Sequence, residues 1–290
     1  MGRPTISKLL SHAKDRGFVH VEVRDPREND QRLSAQLCET YGLNSVHIVS
    51  PLGLGPTDLR RALGRRAWTV LAEVLTPGDS LGVVWSETVH EMADACEQTS
   101  LSDISVVQLP GSFGDDLNAH RMRQAHEKLA VALNAECYIT DVPVIFSTLE
   151  ERYLPEHRSA VAQLLARSQE CRVVVFSPGT CTQTSRLFRS QLLSAAEKEL
   201  LAQRAVGDIC SHYVDANARI CLPDANSRVA GLSLPDLRKV EQKILVAGGD
   251  EKIEVMHATL RWGYTNRLVV DAKTALALSR YDSSGGGRAR

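Results

Sequence analysis

The stretch RVVVFSPGT, residues 172–180, shows how this chain folds. Four consecutive apolar residues, 173–176, are too few for a helix but enough for a strand that is buried on both faces. The polar, glycine-containing turn after them is typical of the carboxyl end of such a strand. The stretch therefore predicts a central strand of a covered sheet, with a turn at its end that is open to a ligand.

The same pattern of strand and then helix recurs from residue 45 onwards. Short apolar runs alternate with longer segments in which apolar side chains recur every three or four positions. This alternation predicts an α/β fold with a parallel sheet covered on both faces, and Thr57 is the expected N-cap of one helix. The predicted strands are 45–49, 81–85, 104–109, 136–140, 172–176, 243–247 and 267–270, and the predicted helices are 56–75, 87–96, 116–133, 158–166, 252–261 and 272–278.

The composition is that of a globular protein. The 290 residues are 43% hydrophobic and 24% charged with a net charge of −1, which excludes a disordered chain and a general polycation. No apolar run could span a bilayer and the N-terminus lacks a signal-peptide core, so we expect a cytoplasmic protein without membrane contact. Seven scattered cysteines and nine histidines show no spacing typical of disulfides or metal ligands, and no metal or cofactor is expected.

The N-terminal segment resembles part of a DNA-reading unit. Pro4 and Gly17 predict a helix between them, with one apolar stripe toward the protein. Six basic residues against three acidic ones through Arg27 favour phosphate contact, although an ordinary solvated helix could carry the same charges. The residues left on its other faces, which we expect to contact DNA, are Arg3, Thr5, Ser7, Lys8 and His12.

Polar turns follow four of the predicted strands. The carboxyl ends of parallel strands meet at one edge of a sheet, where α/β proteins bind ligands. Hydroxyls, glycines and a lysine at helix starts suit a small phosphorylated polyol better than a dinucleotide, although each turn alone could serve only to reverse the chain. These turns are 85–88, 108–114, 177–180 and 248–252.

Several motifs resemble those of the SorC family of sugar-sensing bacterial transcription regulators. Residues 85–88, WSET, are similar to the family's W-G-x-T phosphate turn, and residues 3–10 to its recognition helix. Residues 205–210, AVGDIC, and the block 247–271 resemble two further family segments. The resemblance covers nearly the whole chain. It implies an effector domain with the sugar-phosphate isomerase fold, oligomerisation through that domain, and operator binding controlled by a phosphorylated sugar.

Carried over by position, the resemblance gives six candidate effector-binding residues: Ser86, Thr88, Gln108, Gly179, Asp208 and Lys252. For the lysine we expect a phosphate or hydroxyl contact rather than a Schiff base, because nothing in the sequence indicates a lowered pKa. The aspartate either binds sugar hydroxyls or caps the segment that follows it.

The chain also departs from the family pattern. Ser86 and Ala218 stand where glycine is usual, and Pro178 removes a backbone N–H group from the turn at 177–180. The first helix of the helix-turn-helix is missing ahead of residue 1, through either an upstream start codon or a genuine loss. We therefore expect the chain as given to bind DNA with little sequence preference, and specific binding to return when that helix is restored.

The predicted organisation is a partial helix-turn-helix at 1–27, an effector and oligomerisation domain at 28–282 and a flexible tail at 283–290, with 24–31 as a linker. The leading function is a ligand-gated transcription regulator that binds operator DNA and a phosphorylated sugar as a homodimer or homotetramer. One alternative is a sugar-phosphate isomerase or deaminase, against which stands the lack of a clear acid and base in the sequence. The other is a sensor subunit without DNA contact of its own.

Overall fold

The structure is a computed structural model that describes residues 26–50, 55–112, 117–182, 185 and 192–281. The tail predicted at 283–290 lies outside the described residues. So do the predicted recognition helix and every proposed DNA contact, namely Arg3, Thr5, Ser7, Lys8 and His12.

In the described part of the chain, one or more helices separate each strand of the main sheet from the next, as predicted. Its strands are β1 (Ser45–Val49), β2 (Ser80–Val83), β3 (Ser105–Gln108), β4 (Glu136–Tyr138), β5 (Val173–Phe176), β6 (Gly207–Ile209), β7 (His212–Val214), β8 (Gln242–Val246) and β9 (Arg267–Asp271). Its helices are α1 (Pro26–Tyr41), α2 (Pro56–Val74), α3 (Glu87–Asp94), α4 (Leu117–Leu133), α5 (Leu149–Arg152), α6 (Pro155–Gln169), α7 (Ala195–Arg204), α8 (Pro223–Ser227), α9 (Leu234–Lys239), α10 (Ile253–Arg261) and α11 (Ala272–Ser279). A short 3₁₀ turn, Asp250–Lys252, leads into α10.

A parallel seven-stranded sheet forms the centre of the molecule, in the order β1-β9-β8-β5-β2-β3-β4. Side chains of a strand alternate between its faces, and β5 shows the result. Val174 and Phe176 belong to a core cluster on one face, together with residues of α1, α10 and α11. Val173 and Val175 belong to a cluster on the other face, with residues of α2, α3 and α4. The predicted α/β fold with a sheet covered on both faces is confirmed.

The prediction of a linker at 24–31 is wrong from Pro26 onward, where α1 begins. Proline is tolerated in the first turn of a helix because the N–H group it lacks has no partner there. Although most residues of this helix are polar or charged, it has an apolar stripe that includes Leu33 and Leu37, which are buried in the core. Packing of that stripe against the sheet outweighs the polar composition.

The predicted N-cap of α2 is also wrong. Gly55 holds the cap position without a side-chain hydrogen bond, and Pro56 is the first helical residue. Thr57 therefore lies inside the first turn, where its hydroxyl accepts a hydrogen bond from Arg60 Nη2 at 3.2 Å. The helix starts at Pro56 rather than after Thr57, because the fixed φ of proline is already that of a helix.

An ion pair between the partly buried Arg172 and the buried Asp79 joins the amino ends of β2 and β5. Arg172 donates from Nε and Nη2 to the two carboxylate oxygens of Asp79, at 2.5 Å each, and from Nη2 to the carbonyl of Val74 at 2.7 Å. Burial would raise the pKa of Asp79, but hydrogen bonds from Arg172 and Thr76 outweigh it and hold that pKa below its ordinary value. This pair stabilises the edge of the sheet at which the strands begin, opposite the edge at which they end in the polar turns.

We expect Asp79→Asn to lower the free energy of unfolding by about 1 to 3 kcal/mol, because it removes the buried one of the two carboxylates that pair with the partly buried Arg172 guanidinium and leaves only the exposed Glu241. Since the pKa of Asp79 is lowered, its contribution is present above its unfolded pKa and is lost as the pH falls through the folded value. Urea unfolding at pH 7 and pH 3 measures both effects. Asp141→Asn, which removes an exposed partner of Arg123, is the control and should change stability by less than about 0.5 kcal/mol. Equal losses in the two variants would contradict this account.

Candidate functional site

A cavity of about 1060 Å³ opens where the central strands end. Its walls come from the segments that follow β1, β2, β5, β8 and β9, together with the start of α2 and the turn between β6 and β7. Three of the four predicted turns, 85–88, 177–180 and 248–252, meet here, and the fourth contributes Pro110. The parallel sheet thus gathers turns that are distant in sequence.

Five of the six predicted effector-binding residues line this cavity: Ser86, Thr88, Gly179, Asp208 and Lys252. Gln108 does not. Its side chain is 1% exposed and its Nε2 donates to the carbonyl of Pro110 at 2.9 Å. The structure therefore places Gln108 beneath the turn that carries Pro110, where it supports the cavity wall.

The start of α3 offers backbone donors to the cavity. Ser86 is its N-cap, with an Oγ that accepts from the backbone N–H of Val89 at 3.1 Å. The φ of Ser86 is −152°, an extended conformation that serine adopts without strain, at the position of the glycine in the W-G-x-T turn that residues 85–88 resemble. The N–H groups of Glu87 and Thr88, in the first helical turn, have no partner within the helix, and such groups bind phosphate and other anions.

Gly179 and Asp208 meet by their backbones. Each donates its N–H to the carbonyl of the other at 3.0 Å, which ties the turn after β5 to the β6–β7 hairpin. A Cβ at position 179 would lie 2.0 Å from Asp208 Oδ1, so any larger residue would displace the Asp208 side chain. Asp208 Oδ2 accepts from the N–H of Ser211 at 3.0 Å. The aspartate thus caps its own turn, as one of the two alternatives from the sequence predicts, and it also lines the cavity, where the alternative of binding sugar hydroxyls stays a prediction.

Lys252 and Asp208 are electrostatically coupled in this cavity. Lys252 Nζ donates to Ser177 Oγ at 3.0 Å. Burial lowers the pKa of Lys252. The carboxylates of Glu251 and Asp208 partly offset this lowering, whereas the positive charge of Arg60 lowers the pKa further. Burial raises the pKa of Asp208 to about 6, against the Ser211 N–H group and Lys252. An acid and a base with shifted pKa values therefore share the cavity, which the sequence does not indicate because both shifts arise from burial.

Sequence reasoning missed two charged residues of the cavity wall. Arg60 lies near the start of α2, and its buried Nε has no hydrogen-bond partner among the described residues. Asp271 ends β9 and caps α11, with its Oδ1 accepting from the N–H of Thr274 at 3.1 Å. The sequence pattern of α2 indicates its apolar stripe and carries no signal for Arg60. Asp271 ends the block 247–271 that resembles a family segment, but that resemblance does not show that the residue lines the cavity.

The charges of the cavity wall are of both signs. Glu87 pairs with Arg121 and Asp250 with Lys273, so these two carboxylates are already engaged. The remaining charges of the wall are the cations of Arg60 and Lys252 and the carboxylates of Asp208, Glu251 and Asp271. A ligand with an anionic group and several hydrogen-bond donors would match this arrangement.

Among the described residues, no group of three or more His, Cys, Asp and Glu side chains is arranged to hold a metal ion. Within the same residues, no helix combines the length and apolar character needed to cross a bilayer.

Comparison with known proteins places these features in a family. Residues 25–279 match the family described as "Putative sugar-binding domain". The chain is 32% identical over 283 residues to the deoxyribonucleoside regulator of Bacillus subtilis (strain 168), a match that covers 96% of this chain and 89% of that protein.

Solved structures show the same fold. The full-length sorbitol operon regulator SorC from Klebsiella pneumoniae has a TM-score of 0.77 at 22% identity, covering 97% of this chain and 90% of that one. A transcriptional regulator from Streptococcus pneumoniae TIGR4 has a TM-score of 0.80 at 20% identity, covering 88% of this chain and 98% of that one. These likenesses confirm the α/β fold.

We expect Asp208→Asn to remove a pH-dependent loss of stability. Because the pKa of Asp208 is raised to about 6 in the folded state, its stabilising effect is complete below its unfolded pKa and is lost as the pH rises through about 6. Asparagine can still accept from the Ser211 N–H group but does not ionise. The variant should therefore match the parent near pH 4 and exceed its free energy of unfolding at pH 8 by about 1 to 3 kcal/mol.

Urea unfolding from pH 4 to pH 8 tests this expectation. The control is Asp215→Asn, which also changes a carboxylate that accepts backbone N–H groups, those of Asn217 and Arg219, but lies outside the cavity. A parent that is more stable than Asp208→Asn at pH 8 would show that the buried carboxylate is not the source of the effect.

Proposed function

The chain belongs to the SorC family of sugar-binding transcriptional regulators, and from this membership we propose that it controls transcription in response to a phosphorylated sugar. The observation that carries the proposal is the cavity at the carboxyl edge of the sheet, where helix starts, hydroxyls and two cations face one space. The operator and the sugar would be its two ligands. Its place of action would be the cytoplasm.

The start of α3 is the proposed phosphate site. The backbone N–H groups of the turn at 86–88 and the positive end of the helix dipole favour a dianion there. Lys252 and Arg60 lie on the same cavity wall and would complete the charge neutralisation. The mutual repulsion of these two cations, which contributes to the lowered pKa of Lys252, would be relieved by an anion between them.

Helix α1 is the proposed link between the sugar and DNA, because it follows the N-terminal segment directly. Tyr41, its last residue, donates to the carbonyl of Leu278 in α11 at 3.1 Å and shares a 2.9 Å hydrogen bond with His257 Nδ1 in α10. Both helices start at the cavity, where Lys252 precedes α10 and Asp271 caps α11. A ligand that shifts these helix starts would therefore act on the end of α1.

In keeping with this family membership, we propose that the effector domain assembles into a homodimer or homotetramer. The relatives named above are transcriptional regulators, which supports DNA as the partner of the N-terminal segment. The alternative is a sensor subunit that acts only through mixed oligomers. DNA binding by the homo-oligomer would favour the regulator over this sensor subunit.

The second candidate is an enzyme that isomerises or deaminates a sugar phosphate. The coupled Asp208 and Lys252 favour it, since an acid and a base with shifted pKa values in one cavity are typical of proton-transfer sites. The names of the relatives favour the regulator. Turnover of bound ligand decides between the two.

We expect a sugar phosphate to raise the free energy of unfolding by about 2 to 3 kcal/mol at a hundredfold excess over its Kd, by mass action. A thermal-shift panel of pentose and hexose phosphates, with the free sugars and inorganic phosphate as controls, measures this. Lys252→Ala should weaken binding by about 1.5 to 3 kcal/mol. Absence of any shift, or equal shifts with free sugars, would contradict the phosphate site, and conversion of the ligand, followed by NMR, would favour the enzyme.

We also expect Tyr41→Phe to remove the hydrogen bonds that join the end of α1 to α10 and α11. Helix α1 should stay packed, since only the hydroxyl is removed. In the parent, a bound sugar phosphate should change the hydrogen-exchange rates of the α1 amides by roughly threefold or more, and in the variant this change should be lost while the Kd stays within about twofold. Tyr153→Phe, at an exposed tyrosine, is the matched control. Unchanged exchange in α1 of the parent would contradict the proposed link.

A further inference from the structure

Asp271 has a buried carboxylate oxygen that the protein does not use. The residue is 8% exposed and lines the cavity. Its Oδ1 accepts from Thr274 as the cap of α11, whereas its Oδ2 is buried without a hydrogen-bond partner among the described residues. One carboxylate oxygen therefore has a structural task and the other has none.

Capping alone does not account for aspartate here. Asparagine and serine cap helices about as well as aspartate does, and neither would bury an oxygen that carries charge without a partner. Leaving a buried charged acceptor unsatisfied costs free energy, so such groups are a feature of sites that a ligand completes.

The residues around Oδ2 leave it just beneath the surface of the cavity that Asp271 lines. A Cβ at Gly248 would lie 2.3 Å from Asp271 Oδ2, so the missing side chain of this glycine leaves room for the carboxylate. The nearby ammonium of Lys273 pairs with Asp250 at the exposed rim and does not serve as the partner of Oδ2. A hydrogen-bond donor inside the cavity would give Oδ2 the partner that the described residues do not provide.

We propose that Asp271 Oδ2 accepts a hydrogen bond from a hydroxyl of the bound sugar phosphate, and thereby selects neutral phosphorylated sugars against phosphorylated sugar acids. The proposal rests on the function proposed above. A hydroxyl donates to a carboxylate in a strong, charge-assisted bond. A carboxylate on the ligand would instead face the like charge of Asp271, with Asp208 in the same cavity, where partial exclusion of water strengthens repulsion.

The variant Asp271→Asn tests this assignment directly. Its Oδ1 can still cap α11, and its amide then presents donors in place of Oδ2. Calorimetry would compare inorganic phosphate, ribose 5-phosphate with 5-phosphoribonate, and glucose 6-phosphate with 6-phosphogluconate. Asp271→Ser, which also keeps a cap and removes the carboxylate, provides the same test should the asparagine variant be unstable. Asp215→Asn, outside the cavity, is the control.

In the parent, we expect at least one sugar phosphate to bind about tenfold or more tightly than both its acid and inorganic phosphate. In Asp271→Asn both ratios should fall by about tenfold, while the affinity for inorganic phosphate changes by less than about twofold. In Asp215→Asn the ratios should stay as in the parent.

Two results would overturn the inference. Unchanged ratios in Asp271→Asn and Asp271→Ser would show that the carboxylate does not contact the sugar. An equal loss of affinity for inorganic phosphate and sugar phosphate would show that Asp271 only supports the cavity wall. In both cases the proposed function would stand, because the parent still binds a sugar phosphate. A parent that binds none of these probes would contradict the proposed function itself.

Discussion

The parallel direction of the seven sheet strands is the constraint on which the rest of this structure depends. Because the strands point the same way, their carboxyl ends and the amino ends of the helices that follow lie at one edge. Backbone N–H groups, side-chain caps and the positive ends of helix dipoles gather there. At the opposite edge, an ion pair between Arg172 and the buried Asp79 carboxylate joins the amino ends of β5 and β2. One edge is therefore built to hold the sheet together and the other is suited to bind a ligand.

Close backbone contact completes the binding edge. The β6–β7 hairpin packs closely on the turn after β5, since a Cβ at Gly207 would lie 2.3 Å from the Gly179 carbonyl oxygen. The turn of the hairpin holds Cys210 and Ser211 at positive φ. Two non-glycine residues in this conformation cost free energy, which the Asp208 hydrogen bond to Ser211 helps to offset. The strained turn holds Asp208 at the cavity wall beside Lys252, and burial of both groups produces the shifts in their pKa values.

Much of the fold is predictable from the sequence because its signals are local. Four apolar residues at 173–176 and the turn after them suffice for β5, and the other sheet strands also lie within two residues of their predicted limits. Helix α1 is not predictable in this way, because the stripe of Leu33 and Leu37 becomes apparent only when the sheet that it covers is known. Pro56 likewise determines the start of α2 more strongly than the capping tendency of Thr57.

The site is predictable where a motif carries it and unpredictable where tertiary structure creates it. The motif residues Ser86, Thr88, Gly179, Asp208 and Lys252 line the cavity, whereas Gln108 lies beneath its wall. Arg60 and the free oxygen of Asp271 are visible only in three dimensions, since the lack of a partner is a property of the folded environment. The pKa values of Lys252 and Asp208 depend on burial and cannot be read from sequence neighbours.

The central claim is that a phosphorylated sugar occupies this cavity with its phosphate at the start of α3. A crystal structure of the chain with a sugar phosphate from the panel tests it most directly. The account predicts phosphate oxygens within hydrogen-bond distance, about 3 Å, of the N–H groups of residues 87 and 88 and of Lys252 Nζ. A phosphate bound elsewhere, or a cavity that stays empty at saturating ligand, would contradict it.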